Sequence, residues 1–248
     1  MTKTPSALQL ENEQLQQALR QARAELEDFT YSVSHDLRAS LRHVSAYVDI
    51  IKEDLSEPVN PALLGYLETV STAARQMGLQ IDGLLALSRL GRMDLQLSRV
   101  DVAPLLRDVC TALAPTMVGR CVEWTVASDF PALQADDALL RQVLTHLLSN
   151  ALKFTRPRAQ AEIKVGWQID ASGLCRLTVL DNGVGFNPQY APKLFHVFQR
   201  LHGAREFEGL GMGLALARKI VERHGGAVSI SGAPNTGCSV SVTLPLAS

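Results

Sequence analysis

The sequence predicts an α+β protein, in which a long helical hairpin that dimerises as a four-helix bundle precedes an α/β sandwich. A heptad pattern of apolar residues runs from the N-terminal region to Val33. Two prolines between residues 56 and 61 then interrupt a helical periodicity that resumes beyond them. After about Ser98, glycine, proline and short β-branched runs replace the long periodic stretches. This change is typical of strands that alternate with shorter helices.

Composition narrows the classes of function. The chain has 248 residues, a formal charge of -1 and 46% hydrophobic residues, so it can bury real cores and shows no basic excess that would favour nucleic acid as a partner. Its four cysteines lie far apart, which favours reduced thiols over a disulfide or zinc framework. Because no apolar run reaches the roughly 18 residues of a membrane span, we expect a cytoplasmic fragment without direct membrane contact.

The heptad predicts a coiled coil. Steps of four and three residues connect eight positions: Leu8, Asn12, Leu15, Leu19, Ala22, Leu26, Phe29 and Val33. Such a stripe needs a partner helix to cover it, and a polar Asn12 within it costs stability but can set the register of two strands. The alternative is a single amphipathic helix packed on its own domain. Four heptads favour the coiled coil and therefore a homodimer.

The hairpin follows from the proline-containing break. The first helix is predicted to continue to about Leu55, because nothing earlier stops it, and the segment 56–61 ends it. A second amphipathic helix places these residues mostly on one face: Leu63, Leu67, Val70, Ala74, Met77, Ile81, Leu84 and Leu85. One hairpin covers only part of this apolar surface. Two hairpins would cover it as a four-helix bundle.

The remainder of the chain reads as a mixed sheet with helices on one face. Helices are predicted over 104–117, where a proline opens the first, and over 137–154 and 214–224. Strands are predicted over 122–127, 162–169, 175–180, 228–231 and 239–244.

A first candidate site follows the strand that ends at Leu180. Asp181, Gly183 and Gly185 form a D-x-G-x-G motif there. A carboxylate at a strand end can accept a hydrogen bond from an exocyclic amine, and the glycines let a flat ring approach the backbone. By itself this motif is also an ordinary turn.

A second glycine motif leads into a helix. Gly209, Gly211 and Gly213 alternate with larger residues and are followed by Leu214. Backbone N–H groups and the positive end of the helix would form a phosphate cradle there. The alternative is a glycine-rich linker.

The predicted helix over 137–154 carries a third candidate site. Asn150 and Lys153 are three residues apart and therefore share a face of this helix. An amide oxygen suits Mg²⁺ and an ammonium suits a triphosphate. Taken singly, each residue is more often an ordinary surface residue.

Together these motifs resemble those of the sensor histidine kinases, over nearly the whole chain. The stretch that ends with 150–154 resembles the N box, 181–185 the first glycine box, 193–198 the phenylalanine box and 209–213 the second glycine box. The segment 29–38, which contains His35, resembles the phosphoacceptor box. The resemblance implies a Bergerat-type ATP-binding sandwich. It also implies a coiled-coil signalling helix over 1–28, a dimerisation and phosphoacceptor domain over 29–95 and a catalytic domain over 98–248.

The resemblance assigns roles to individual residues. His35 would be the nucleophile, and Asp36 would orient its ring and take its proton. Asn150 would hold Mg²⁺, Asp181 would bind the adenine amine, Lys153 would face the phosphates, and the segment 198–208 would be a mobile lid. The implied nucleotide-binding set is Asn150, Lys153, Phe154, Asp181, Gly183, Gly185, Gly209, Gly211, Gly213 and Leu214. ATP and Mg²⁺ are the implied cofactors, and a response regulator receiver domain and an upstream sensory domain are the implied partners.

Three positions depart from the family pattern. His146 replaces the usual second asparagine of the N box, which puts one Mg²⁺ or phosphate contact in doubt. Ser40 replaces a proline. Ala39 replaces a threonine or asparagine that positions water for dephosphorylation of the partner, so weak phosphatase activity is predicted.

Two other functions fit parts of the sequence. One is a different ATPase of the same fold, as in mismatch repair or topoisomerases. The hairpin that carries His35 argues against it, because those enzymes do not need such a histidine. A dimeric adaptor or degenerate kinase would bind a response regulator without transferring phosphate, and His146 gives that alternative some support. The presence of His35, Asp36, Asn150 and Asp181 favours the kinase.

Overall fold

The chain divides into two compact units, with the boundary between Arg92 and Met93. A computed structural model describes residues 5–55, 60–203 and 206–247. Most of the predicted break at 56–61 lies outside these residues. Among the described residues, no helix combines the length and the apolar character needed to cross a membrane.

The first unit consists of two long helices, α1 (Pro5–Asp54) and α2 (Pro61–Arg92). Asn60 caps the start of α2, because its side-chain oxygen accepts a hydrogen bond from the N–H of Ala62 at 2.9 Å. Pro61 at the first helical position lacks an N–H that would in any case have no helical partner. The predicted long helical hairpin is confirmed.

The second unit is built on a five-stranded sheet of order β2-β4-β5-β7-β6. Its strands are β2 (Cys121–Val126), β4 (Gln160–Ile169), β5 (Cys175–Asp181), β6 (Val228–Ala233) and β7 (Gly237–Leu244). β2 and β4 are parallel, and the other neighbours are antiparallel. Short strands β1 (Ser98–Val100) and β3 (Leu133–Ala135), which the sequence did not predict, form a separate antiparallel pair.

Two helices, α4 (Asp137–Phe154) and α5 (Gly213–Arg223), lie against the sheet, and a third, α3 (Val102–Leu113), packs on α4. The strands alternate buried apolar and more exposed residues, so Ile163, Leu177 and Val242 form the core beneath the helices. The predicted α/β sandwich is confirmed. Helix α3 starts two residues before Pro104 and ends at Leu113, after which a 3₁₀ turn continues to Met117.

Buried polar groups fix the start of α4, the helix that carries much of the site. Asp136 caps it by accepting a hydrogen bond from the N–H of Leu139 at 3.2 Å. The N–H of Asp136 donates to Nε2 of His224, whose Nδ1 donates to the carbonyl of Ile220 at 2.8 Å. His224 therefore links the start of α4 to the end of α5 as a structural residue.

Candidate functional site

A cavity of about 410 Å³ lies in the second unit between α4, α5 and the sheet. Its volume suits a ligand of nucleotide size. Nine of the ten predicted nucleotide-binding residues line it: Asn150, Lys153, Phe154, Asp181, Gly185, Gly209, Gly211, Gly213 and Leu214. The fold thus brings together motifs that are separated by up to 64 residues along the chain.

Asp181 lies on the cavity wall at the end of β5 and is only 6% exposed. Its carboxylate accepts a hydrogen bond from the N–H of Gly183 at 2.8 Å. Burial raises the pKa of Asp181 to about 6, although backbone hydrogen bonds from Gly183 and Cys238 oppose the shift. The carboxylate is therefore mostly ionised at neutral pH and can accept a hydrogen bond from a ligand amine.

Gly183, the tenth predicted residue, lies behind this carboxylate rather than on the cavity wall. A Cβ added there would lie 2.7 Å from Oδ1 of Asp181 and equally close to the carbonyl oxygen of Phe154. Gly185 has a φ of +61°, and a Cβ there would meet the carbonyl oxygen of Ala233 at 1.9 Å. Close packing thus requires glycine at both positions.

Arg158 anchors the turn that follows Asp181, a role that the sequence analysis missed. Its guanidinium donates to the carbonyls of Asn182 and Gly183 at 2.7 and 2.9 Å, and to that of Asn235 at 2.7 Å. These bonds tie the first glycine motif to the loop between β6 and β7. Because all three acceptors are backbone carbonyls, no side-chain motif could have revealed them.

The second glycine motif runs along the cavity and ends where α5 begins, at Gly213. The first N–H groups of a helix have no partner within that helix, and its dipole adds positive potential there. His146 on α4 lies beside this helix start, with Nδ1 3.3 Å from the position that a Cβ on Gly213 would take. This end of the cavity can hold phosphate groups.

Four polar residues of α4 line the cavity, namely His146, Ser149, Asn150 and Lys153. Within the part of the chain that the structure describes, the carboxamide of Asn150 has no hydrogen-bond partner. Burial lowers the pKa of His146, so its imidazole is neutral at neutral pH and can donate only one hydrogen bond. Burial also lowers the pKa of Lys153, whose Nζ lies 4.6 Å from the ring centre of Phe154.

An aromatic cluster that the sequence analysis missed closes one side of the cavity. The ring centres of Phe154, His202 and Phe207 lie 5.0 to 5.6 Å apart. Nε2 of His202 donates to the carbonyl of Gly185 at 3.0 Å, and Arg200 donates to the carbonyl of Phe207 at 2.6 Å. The segment predicted as a lid therefore contacts the first glycine motif.

The candidate phosphoacceptor, His35, lies on α1 in the other unit. Its side chain is 62% exposed, and its Nδ1 lies 3.3 Å from Oδ1 of Asp36. Three residues further along, Arg38 forms an ion pair with Asp82 of α2. The hydroxyl of Ser40 donates to the carbonyl of Asp36 at 3.1 Å and is therefore occupied by the backbone.

Comparison with known proteins supports this description. Residues 25–92 match the His Kinase A (phospho-acceptor) domain, and residues 135–248 match the histidine kinase-, DNA gyrase B- and HSP90-like ATPase family. The phytochrome-like protein Cph1 of Synechocystis sp. is 31% identical over 94% of this chain and 31% of its own length. The methanogenesis regulatory histidine kinase FilI of Methanothrix harundinacea is 31% identical over 90% of the chain and 25% of its own length.

The chain thus spans about a quarter to a third of these curated relatives. Full-length ShkA, solved in complex with AMPPNP, aligns with 89% of this chain and 46% of its own at a TM-score of 0.64 and 25% identity. The Acinetobacter baumannii histidine kinase AdeS shares the fold at a TM-score of 0.58 and 17% identity, over 86% of this chain and 98% of its own. With both domains matched in order, the chain belongs to the sensor histidine kinases and carries the phosphoacceptor and ATP-binding domains of a protein-histidine kinase.

Proposed function

We propose that this chain transfers the γ-phosphate of ATP to Nε2 of its own His35 and then to an aspartate of a response regulator. The contact between Nδ1 of His35 and Asp36 carries the proposal. A carboxylate that accepts the Nδ1–H leaves the lone pair on Nε2, which is then the nitrogen available for attack. As the Nε2–P bond forms and ADP leaves, Asp36 stabilises the positive ring and takes its Nδ1 proton.

The cavity supplies nucleotide binding in this proposal. Asp181 accepts a hydrogen bond from the adenine amine, and Phe154 covers the ring from the side of the aromatic cluster. The second glycine motif and the start of α5 contact the phosphates, and Lys153 compensates for part of their charge. Phosphoryl transfer depends mainly on such positioning and charge stabilisation, because little covalent chemistry remains for the protein.

Mg²⁺ fits the donor chemistry of the cavity. Asn150 offers an amide oxygen without a protein partner, and among the described residues no group of three or more His, Cys, Asp or Glu side chains is arranged to hold a metal ion. An ion held mainly by phosphates and water needs only one or two protein ligands. When bound, it would stabilise negative charge on the phosphates, with Asn150 as its protein ligand and His146 one helical turn away.

We also propose a homodimer through the first unit. Leu15, Leu26 and Phe29 of the heptad are each about 65% exposed in the single chain, and such an apolar stripe needs a partner. A second copy would cover it as a parallel coiled coil and a four-helix bundle. In our proposal an upstream sensory domain acts through this helix, and the response regulator docks near His35.

Incubation with γ-labelled ATP tests the proposed function. We expect acid-labile label on the wild-type chain, none on His35→Gln, and full label on His43→Gln. His43 is a matched control, because it is an exposed histidine on the same helix. Since the cavity lies in the other unit, His35→Gln should bind ATP like the wild type. Label on His35→Gln, or lost ATP binding, would show that the acceptor is misassigned.

A further inference from the structure

Glu208 places a carboxylate directly before the second glycine motif. It is exposed and lines the cavity in which ATP is proposed to bind. A triphosphate carries several negative charges, so a free carboxylate at this position would repel it. The position therefore raises the question of what neutralises Glu208.

Arg156, two residues beyond the end of α4, binds both oxygens of this carboxylate. Its two terminal nitrogens donate to the two oxygens of Glu208, one to each. This pairing holds the pKa of Glu208 at about 2. The planar fork of arginine matches a carboxylate in a way that the single ammonium of lysine cannot.

Lys153 is a second cation that Glu208 can attract. Its ammonium experiences the charges of Glu208, Arg156 and Arg200. Its Nζ lies 3.4 Å from the position that a Cβ on Gly209 would take, which is the residue after Glu208. One arginine thus binds both oxygens of this carboxylate, and the ammonium of Lys153 approaches the residue that follows Glu208 in the chain.

We propose that Arg156 is a positioning residue that occupies both oxygens of Glu208 and so keeps the ammonium of Lys153 available to the triphosphate. The inference rests on the proposed function, because it assigns the phosphates to this end of the cavity. Without Arg156, Glu208 turns to Lys153 and competes with ATP for it. Arg156 acts through Glu208 and does not contact the nucleotide.

A double-mutant cycle tests this role in the full chain, with ATP and adenosine affinities measured by titration. Arg156→Gln should weaken ATP binding roughly fivefold and leave adenosine, which has no phosphate, bound as before. Glu208→Gln should tighten ATP binding about twofold, and the double variant should return it to within about twofold of the wild type. A matched control is Arg218→Gln, which breaks an exposed pair with Glu222 on α5 outside the cavity and should change neither affinity.

Three results would overturn the inference. If Glu208→Gln weakens ATP binding as much as Arg156→Gln, the pair is a mechanical link that holds the glycine motif. If the double variant stays as weak as Arg156→Gln, the arginine itself binds phosphate. Equal losses for adenosine and ATP would also contradict it. A wild-type chain that binds no ATP would instead refute the proposed function.

Discussion

Replacing Asp181 by asparagine should stabilise the unliganded ATP-binding unit and weaken ATP binding. Burial moves the pKa of this carboxyl from 3.8 to about 6. That displacement corresponds to about 3 kcal/mol of unfavourable free energy for holding the ionised group in the folded chain. An amide keeps an oxygen for the N–H of Gly183 and removes the buried charge, so we expect a gain of about 1–3 kcal/mol.

The loss of nucleotide affinity follows from the same carboxylate. A hydrogen bond between the adenine amine and a charged acceptor contributes about 1.5–3 kcal/mol, which is roughly 10- to 150-fold in dissociation constant. Asparagine can present its NH₂ group to the adenine amine, so the loss should lie near the upper end. Calorimetric titration with ATP measures the affinity, and thermal unfolding without nucleotide measures the stability.

The pH dependence separates this explanation from a general packing effect. Because the folded-state pKa of Asp181 lies above its unfolded value, the cost of ionisation is fully present above about pH 6 and disappears as the pH falls toward 4. The stability advantage of Asp181→Asn should therefore shrink to about a third at pH 4.5 compared with pH 7.5.

The control is Asp101→Asn, because the exposed Asp101 side chain makes no capping hydrogen bond at the start of α3. It should change neither stability nor ATP affinity. Wild-type ATP affinity in Asp181→Asn, or an unchanged melting temperature at pH 7.5, would refute the reasoning.

Three further perturbations follow from the sites described above. Ala39→Thr should speed decay of the phosphorylated response regulator, because the added hydroxyl can position water, whereas the hydroxyl of Ser40 already donates to the backbone. Equal decay rates with the wild type and with this variant would contradict the prediction. Asn12→Leu should raise the melting temperature, because it removes a polar residue from the heptad stripe, and it should also permit other oligomers. A wild-type monomer at micromolar concentration in sedimentation would exclude the dimer. His146→Asn should tighten Mg²⁺-dependent ATP binding several-fold, because an amide adds a hard oxygen ligand; an unchanged Mg²⁺ titration would show that His146 is equivalent.

Local periodicity and motif order were sufficient to predict a helical hairpin followed by an α/β sandwich, together with nine of the residues that line the cavity. The long helices follow from apolar spacing and from prolines, which are properties of neighbouring residues. The assignments of Asp181 and the second glycine motif came from family motifs, because each motif alone has an ordinary structural explanation. The structure adds that Gly183 lies behind the carboxylate of Asp181 and not on the cavity wall. Glycine is needed there because the backbone of Phe154 approaches closely.

Only the tertiary structure decided the contacts between residues that are far apart in sequence. Many of these contacts involve backbone atoms, which a sequence motif does not specify. Arg158 binds backbone carbonyls up to 77 positions away, and Arg156 meets Glu208 across 52 positions. His202 and His224 have the same side chain, yet one lies on the cavity wall and the other fixes the start of α4. The sequence alone determined the two long helices, the strands of the five-stranded sheet and the order of the motifs along the chain. The tertiary structure packs the end of β5 against α4, and this packing decides which polar groups are buried. It therefore sets the pKa of Asp181 and brings charged residues such as Arg156 and Glu208 together.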